Sequence, residues 1–340
     1  MKIAMLAPIA WRTPPRHYGP WELVTSLLTE ALIARGIDVT LFATQDSVTA
    51  GKLAGVVPRG YEEDPAIDAK VWEYAHQSHL FARAAEFDLI HNQADFPAHA
   101  YAPLVDTPMV TTIHGFSSDR ILPMYKPFED RVQFVAISDA DRHPALKYAA
   151  TIHHGIRLEE FPFDPNGSED LLFFGRMHPD KGAKEAIQVA QATGRRLDLY
   201  GIVQDSGYFE REVAPYVDDE RIVYHGPVGG EARLKALGGA RALLHLINFD
   251  EPFGLSVIEA MACGTPVIAI NRGSMPELIT PKTGVLVDSA DEAVAALDRI
   301  PQLDRAACRK RIEEHFSVEA MAEKYIALYE RVLGRKWPEG

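Results

Sequence analysis

Residues 171–182 read Leu171-Leu172-Phe173-Phe174-Gly175-Arg176-Met177-His178-Pro179-Asp180-Lys181-Gly182, and a helical pattern runs on through 183–192. A short apolar run closed by glycine and followed by a helix is how a buried parallel strand and its crossover begin. Further apolar runs at 197–200, 222–224, 242–246 and 267–270 continue the alternation. Towards the N-terminus the same rhythm recurs, with strands expected at 3–7, 39–43, 89–91, 109–113 and 134–137 and helices at 21–35 and 69–86. Ser138, directly after a strand, is placed to cap a further helix. Between the two series lies Phe161-Pro162-Phe163-Asp164-Pro165-Asn166-Gly167-Ser168, a Pro, Gly and polar cluster of the kind that links domains. The expectation is therefore an α/β chain of two Rossmann-like domains, 1–160 and 161–320. A C-terminal helix in 321–340 packs back towards the first, its apolar Met321, Tyr325, Leu328 and Val332 at three- and four-residue intervals. Two such lobes imply a cleft, since open α/β sheets bind ligands at the carboxyl ends of their strands.

Composition narrows the function classes. The 340 residues are 47% hydrophobic and 24% charged, which is the balance of a globular chain and not of a disordered one. Lys and Arg number 35 against 48 Asp and Glu, a net charge of −13, which opposes association with nucleic acid or anionic lipid. The helix at 69–86 carries only Lys70 and Arg83 as basic residues, so no lipid-docking face is expected there. Two cysteines, Cys263 and Cys308, make neither a disulfide scaffold nor a four-thiolate zinc site and read as packing residues. The apolar start, Met1 to Ala7, stops before Arg12 without a small-residue cleavage site and reads as a first strand. No run approaches the ~18 apolar residues of a membrane span. The expected location is cytoplasmic.

The loops after the strands carry the chemistry. Neither the Rossmann glycine fingerprint nor the Walker A sequence occurs. The first strand leads into Pro14-Pro15-Arg16-His17-Tyr18-Gly19-Pro20-Trp21-Glu22, with Gly19 where backbone passes close to something at a helix start, or simply a turn in a proline-stiffened loop. Arg176 and Lys181 stand with two glycines at a strand-to-helix corner; a forked guanidinium and a point-charge ammonium suit a diphosphate, or else form a basic solvated turn. The most specific segment is Phe249-Asp250-Glu251-Pro252-Phe253-Gly254-Leu255-Ser256-Val257-Ile258-Glu259-Ala260-Met261-Ala262-Cys263-Gly264-Thr265-Pro266. A helix is expected from Pro252 or Phe253, with the amides of Gly254, Leu255 and Ser256 free to face an anion. If Glu251 is helical, Glu259 lies about 80° round from it, so both can border one ligand.

This last segment resembles the signature of the retaining glycosyltransferases of family 4, which have the GT-B architecture of two facing Rossmann-like domains about a deep interdomain cleft. G-R-M-H-P-D-K-G at 175–182, T-T-I-H-G at 111–115, H-H-G-I at 153–156, G-S-M-P-E-L-I at 273–279 and the Gly19 loop follow the family's order, over nearly the whole chain. The resemblance implies transfer of a hexosyl group from a nucleoside-diphosphate sugar, UDP-glucose favoured, to the hydroxyl of a soluble acceptor with retention at the anomeric carbon, either by front-face attack or by a double displacement for which the sequence nominates no nucleophilic carboxylate. It implies that Arg176, Lys181 and the amides of 254–256 hold the diphosphate, with Phe253 beside them. Glu259 takes the ribose hydroxyls, Glu251 the donor sugar, and His114 faces that sugar and helps position it. No metal or other cofactor is implied, and neither a nucleic-acid partner nor strong membrane association.

Many relatives carry two adjacent glycines where this chain has Gly19-Pro20, and proline removes an amide donor. Arg16, His17, Tyr18 and Trp21 then become acceptor candidates, as do His91 and Asp95. Asp139-Ala140-Asp141 spells the metal motif of another transferase architecture but reads here as a helix start. His76, His79, His91 and His99 lack a closed ligand set and read as helix-surface or cleft histidines, not zinc ligands. Two other functions fit the same outline: a nucleotide-sugar epimerase of this fold, and a non-catalytic two-lobed sugar- or nucleotide-binding protein.

Overall fold

The computed structural model describes residues 1–115 and 117–337. The chain divides into two units, one made of 1–155 with the residues from 318 onward, the other of 156–317. Both divisions fall a few residues before the 160/161 and 320/321 boundaries read from sequence, for a local reason. Ile156 pairs with Ser317 in a parallel bridge, and its amide donates to the Phe316 carbonyl at 2.9 Å. The Arg309 guanidinium then donates to the carbonyls of Phe161 at 2.5 Å and Leu158 at 3.2 Å, so 156–161 is tied to the second unit before the proline cluster is reached.

In the first unit the described strands are β1 (Lys2–Leu6), β2 (Asp38–Phe42), β3 (Lys52–Ala54), β4 (Leu89–Asn92), β5 (Met109–Ile113), β6 (Val132–Ala136) and β7 (Tyr148–Thr151). They form one parallel sheet in the order β3-β2-β1-β4-β5-β6-β7. Strands covered on both faces need apolar side chains throughout rather than in alternation, and β5 is buried at every position. The Pro20–Ala34 helix begins with proline at its first turn and buries Val24, Leu27, Leu28, Ala31 and Leu32. The Val318–Leu333 helix lies against it and buries Met321, Tyr325, Leu328 and Tyr329.

Two expected helices are shorter than their patterns. The one at 69–86 ends at Phe81, because Arg83 leaves helical geometry and a separate single turn covers Ala84–Glu86. The helix expected after Ser138 does not form. Ser138 Oγ accepts the Asp141 amide at 3.1 Å as a cap would, but the chain makes one turn before Pro144, whose ring disfavours helical geometry at the preceding residue.

The second unit holds β8 (Leu171–Phe174), β9 (Leu197–Tyr200), β10 (Ile222–Gly226), β11 (Ala242–His245), β12 (Val267–Ile270) and β13 (Gly284–Val287), parallel in the order β10-β9-β8-β11-β12-β13. The Ala183–Thr193 helix follows β8 and ends at Gly194 in left-handed geometry, as helices commonly do. The Arg305–His315 helix buries Cys308 and Ile312, and around them Arg305, Arg309 and Arg311 reach inward to backbone carbonyls. In both sheets the strand order reverses once, between β1 and β4 and between β8 and β11. Those switch points are where open α/β sheets leave a crevice at their carboxyl edge.

Candidate active site

In the second unit the loops on either side of the β8/β11 switch point converge. Asn248, after β11, donates from its amide to the Asp180 carbonyl at 2.8 Å and from Nδ2 to the Pro179 carbonyl at 3.0 Å. Lys181 Nζ donates to Glu251 Oε1 at 2.7 Å and sits 4.7 Å from the Phe249 ring centroid. His245, the last residue of β11, lies with Nε2 2.9 Å from the other carboxylate oxygen of Glu251. Burial alone would raise the Glu251 pKa, but the hydrogen bonds and charges of His245 and Lys181 outweigh it and bring the carboxyl down to about 2. This buried carboxylate is therefore ionised and held by two neighbours.

Glu251 is not helical. The helix runs Leu255–Ala262, capped by Gly254 at φ 120°, and the preceding loop is fixed from outside. The Ser274 amide donates to the Glu251 carbonyl at 3.0 Å, and Ser274 Oγ donates to the Phe253 carbonyl. Backbone at φ 120° favours glycine at 254, and a Cβ there would also press on the mobile end of Met275 at 2.8 Å. The amides of Gly254, Leu255 and Ser256 take no acceptor among the described residues, which leaves a helix N-terminus beside the Lys181–Glu251 pair. Phe253, expected to touch the donor, is instead buried, its ring 6.2 Å from Phe316. Glu259 is also buried and paired with Arg233, whose guanidinium covers Phe161 and Phe174. Burial raises the Glu259 pKa despite that cation. Arg176 does not join Lys181: it turns to Gln204, in the loop after β9.

In the first unit His114 follows β5 and is 7% exposed. Its ring stacks with Trp21 at 5.3 Å and with His154 at 5.3 Å. Nε2 is 2.6 Å from Gln93 Oε1, whereas Nδ1 has no partner among the described residues. Burial, and then the neighbouring His91, lower its pKa to about 3. The ring is neutral at ordinary pH.

Two family models match. "Glycosyl transferases group 1" covers residues 158–315 and "Glycosyltransferase Family 4" covers 22–160. Together they span residues 22–315, including Gln93, His114, Lys181, Arg233, His245, Glu251 and Glu259, while β1, Trp21 and Phe316 fall outside them. The chain belongs to glycosyltransferase family 4. Its GT-B fold is shared with AviGT4, a glycosyltransferase involved in avilamycin A biosynthesis, at 26% identity and a TM-score of 0.76 over 98% of each chain. A glycogen synthase of Mycobacterium tuberculosis is 25% identical, covering 92% of this chain and 88% of its own. The GDP-mannose:cellobiosyl-diphosphopolyprenol alpha-mannosyltransferase of Komagataeibacter xylinus is 27% identical over 74% of each.

The acceptor candidates of this glycosyltransferase fare unequally. Trp21 lies on His114, and His17 and Tyr18 are exposed. Arg16 is held in ion pairs by Asp46 at 3.0 Å and Glu63 at 2.7 Å. His91 is fully buried with both ring nitrogens engaged, so it is an interior residue and not an acceptor contact. Asp95 accepts from the Tyr125 hydroxyl, and burial raises its pKa. Gly19 caps the Pro20–Ala34 helix at φ 148°, and what passes close to it is the protein itself: a Cβ there would meet Pro15 at 2.9 Å and Glu22 at 3.0 Å.

The metal readings have internal partners. Asp139 accepts from Thr151 Oγ1 at 2.5 Å, and Asp141 from Ser117 Oγ at 3.2 Å. His76 Nε2 is 3.0 Å from the Ala7 carbonyl and His99 Nδ1 2.9 Å from that of Met124, both in the interior. Among the described residues no group of three or more His, Cys, Asp and Glu is placed to hold a metal ion, and no helix is long and apolar enough to cross a membrane. His245, Arg233 and Gln93 escaped sequence reasoning. For His245 and Gln93 the available signal was position, since each stands at the carboxyl end of a strand flanking a switch point.

Proposed function

We propose that this glycosyltransferase moves a hexosyl group from a nucleoside-diphosphate sugar, with UDP-glucose the first donor to test, to an acceptor hydroxyl, with retention at the anomeric carbon and without a metal ion. The observation that carries the proposal is the Lys181–Glu251–His245 cluster beside the open amides of 254–256. A departing nucleoside diphosphate needs fixed positive charge where its own negative charge grows, and an ammonium with an oriented helix end supplies it without reorganisation. Arg176 adds a planar fork to the same diphosphate once Gln204 releases it. Glu251, held ionised, accepts from donor-sugar hydroxyls, Glu259 from the ribose, and His114 helps position the sugar. Both carboxylates act in binding; neither is assigned as a nucleophile, which favours front-face departure and attack. The engaged side chains of Asp139 and Asp141 support the metal-free reading. His17, Tyr18 and Trp21 are the acceptor contacts.

The test is a panel of uridine, guanosine and adenosine diphospho-sugars scored for released nucleotide, with and without chelator, and proton NMR of the first product formed. Release from one donor class, unaffected by chelator and with unchanged anomeric configuration, is expected. Inversion would remove the retaining assignment. Complete loss with chelator, restored by a metal, would bring Asp139 and Asp141 back as ligands. Turnover of no donor would end the reading.

A further inference from the structure

Behind His114 runs a buried chain of polar groups that the reaction as described does not use. Gln93 Oε1 lies 2.6 Å from His114 Nε2, and Gln93 Nε2 lies 3.1 Å from His91 Nε2 and 3.9 Å from Met5 Sδ. His91 Nδ1 is 2.6 Å from the Tyr329 hydroxyl, and His91 Nε2 is 2.8 Å from Thr112 Oγ1, itself 2.7 Å from the Tyr325 hydroxyl. Tyr325 and Tyr329 belong to the Val318–Leu333 helix, and Gln93, His91 and Thr112 are buried.

The directions of these hydrogen bonds follow from which groups can donate. The Gln93 carbonyl oxygen faces His114 and accepts from its ring N–H, while the amide nitrogen faces His91 and Met5. Turned this way, the amide nitrogen has acceptors for its hydrogens in His91 Nε2 and the Met5 sulfur. A carbonyl oxygen only accepts, so His114 carries its proton on Nε2. His91 Nε2, receiving the Gln93 N–H, presents a lone pair, which the Thr112 hydroxyl shares by donating to it at 2.8 Å while accepting from Tyr325; the His91 proton is then on Nδ1 and donates to Tyr329. Burial lowers the pKa of both rings to about 3, so neither gains a second proton at ordinary pH. What remains at His114 is a bare Nδ1 lone pair, buried and without a partner among the described residues.

We infer that Gln93 is a positioning residue that locks His114 in the Nε2–H tautomer, with His91 and Tyr329 setting its direction, so that His114 offers Nδ1 as a hydrogen-bond acceptor. Its ligand is then a donating group, a hydroxyl of the donor sugar, and not a phosphate oxygen. This assignment rests on the proposed function for the identity of the ligand, but the tautomer itself does not.

The experiment separates the two. In the full-length protein with ¹⁵N-labelled histidine and no ligand, two-bond proton–nitrogen spectra of wild type should show His114 with a pyrrole-type Nε2 and a pyridine-type Nδ1. Gln93→Met, close in volume and without the carbonyl acceptor, should mix the two tautomers and lower kcat about tenfold with a smaller change in donor KM. Tyr329→Phe, milder for folding, should shift the His91 signals and lower kcat about threefold. With singly deoxygenated donors, one position should cost wild type about tenfold and Gln93→Met almost nothing. A pyrrole-type Nδ1 in wild type, or an unchanged His114 tautomer in Gln93→Met, overturns the lock even if the enzyme turns over as proposed. Absence of any coupled hydroxyl overturns the acceptor role while leaving the spectra to decide the lock.

Discussion

The two units use one strand order and place functional side chains at equivalent points, the carboxyl ends of strands flanking the reversal, but they fill those points with opposite electrostatics. In the second unit the groups are ions: Lys181 on Glu251, Arg233 on Glu259. In the first they are neutral: His114, Gln93 and His91, linked by hydrogen bonds and stripped of water. A buried ion pair has strong internal attraction but leaves a costly charge if one partner is lost, whereas a neutral relay mainly sets directions and loses little when one link is cut. Same topology, therefore, does not imply the same sensitivity to mutation.

Lys181→Ala should break the comparison hardest. It removes the ammonium nearest the assigned diphosphate and leaves Glu251 buried with His245 as its remaining close partner. Turnover should fall about 10²–10³-fold, the range for deleting one preorganised electrostatic group, and stability by about 3 kcal/mol. The carboxyl held at about 2 against an ordinary 4.5 contributes stability that is complete above pH 4.5 and is lost as pH falls towards 2, so the stability gap between variant and wild type should narrow in acid. Wild-type donor affinity and rate in this variant would remove the diphosphate assignment. Steady-state kinetics and urea unfolding at two pH values measure both effects.

A smaller effect should distinguish the two carboxylates. Glu259→Ala should weaken the bare nucleoside diphosphate about tenfold by titration calorimetry, since two ribose hydroxyls lose their acceptor and Arg233 loses its counter-charge. Glu251→Ala should leave that titration nearly unchanged and impair use of the intact donor. The reverse pattern would exchange their roles.

Much of this ionic site was legible before the fold, and much of the neutral one was not. Lys181 and Glu251 are charged residues embedded in glycine- and proline-marked turns after apolar runs, Glu259 lies in the helix that one of these turns opens, and such turns announce themselves locally. Gln93 and His245 are single polar residues at strand ends, and only the order of the strands gives them neighbours. The central strands were readable because a doubly covered parallel strand is an unbroken apolar run. β3, at one edge with two exposed residues of three, and β7, half-buried throughout, carry no such run. The early start assigned to the Leu255–Ala262 helix had another cause. Proline at 252 suits a first helical turn, but Gly254 at φ 120° and the 273–274 segment hold the chain outside the helix, and neither shows in local pattern.

The least disruptive test sharpens the neutral side of the comparison. Glu22 is buried at the start of the Pro20–Ala34 helix, beside Gly19, where its Oε1 accepts the Trp11 amide at 3.1 Å. No cation offsets the loss of water there, and burial raises its carboxyl to about 7. The folded chain thus keeps a proton that the unfolded chain releases near 4.5. Between those values the folded state binds more protons, so stability falls as pH rises through the window and stays lower above it. Glu22→Gln keeps the acceptor for Trp11 and removes the ionisation. Wild type and variant should unfold alike below pH 4.5 and separate progressively to about 3 kcal/mol in favour of the variant by pH 8. Parallel stability curves across that range would mean that Glu22 ionises freely in the folded state, and that the first unit is less strictly neutral than its histidines suggest.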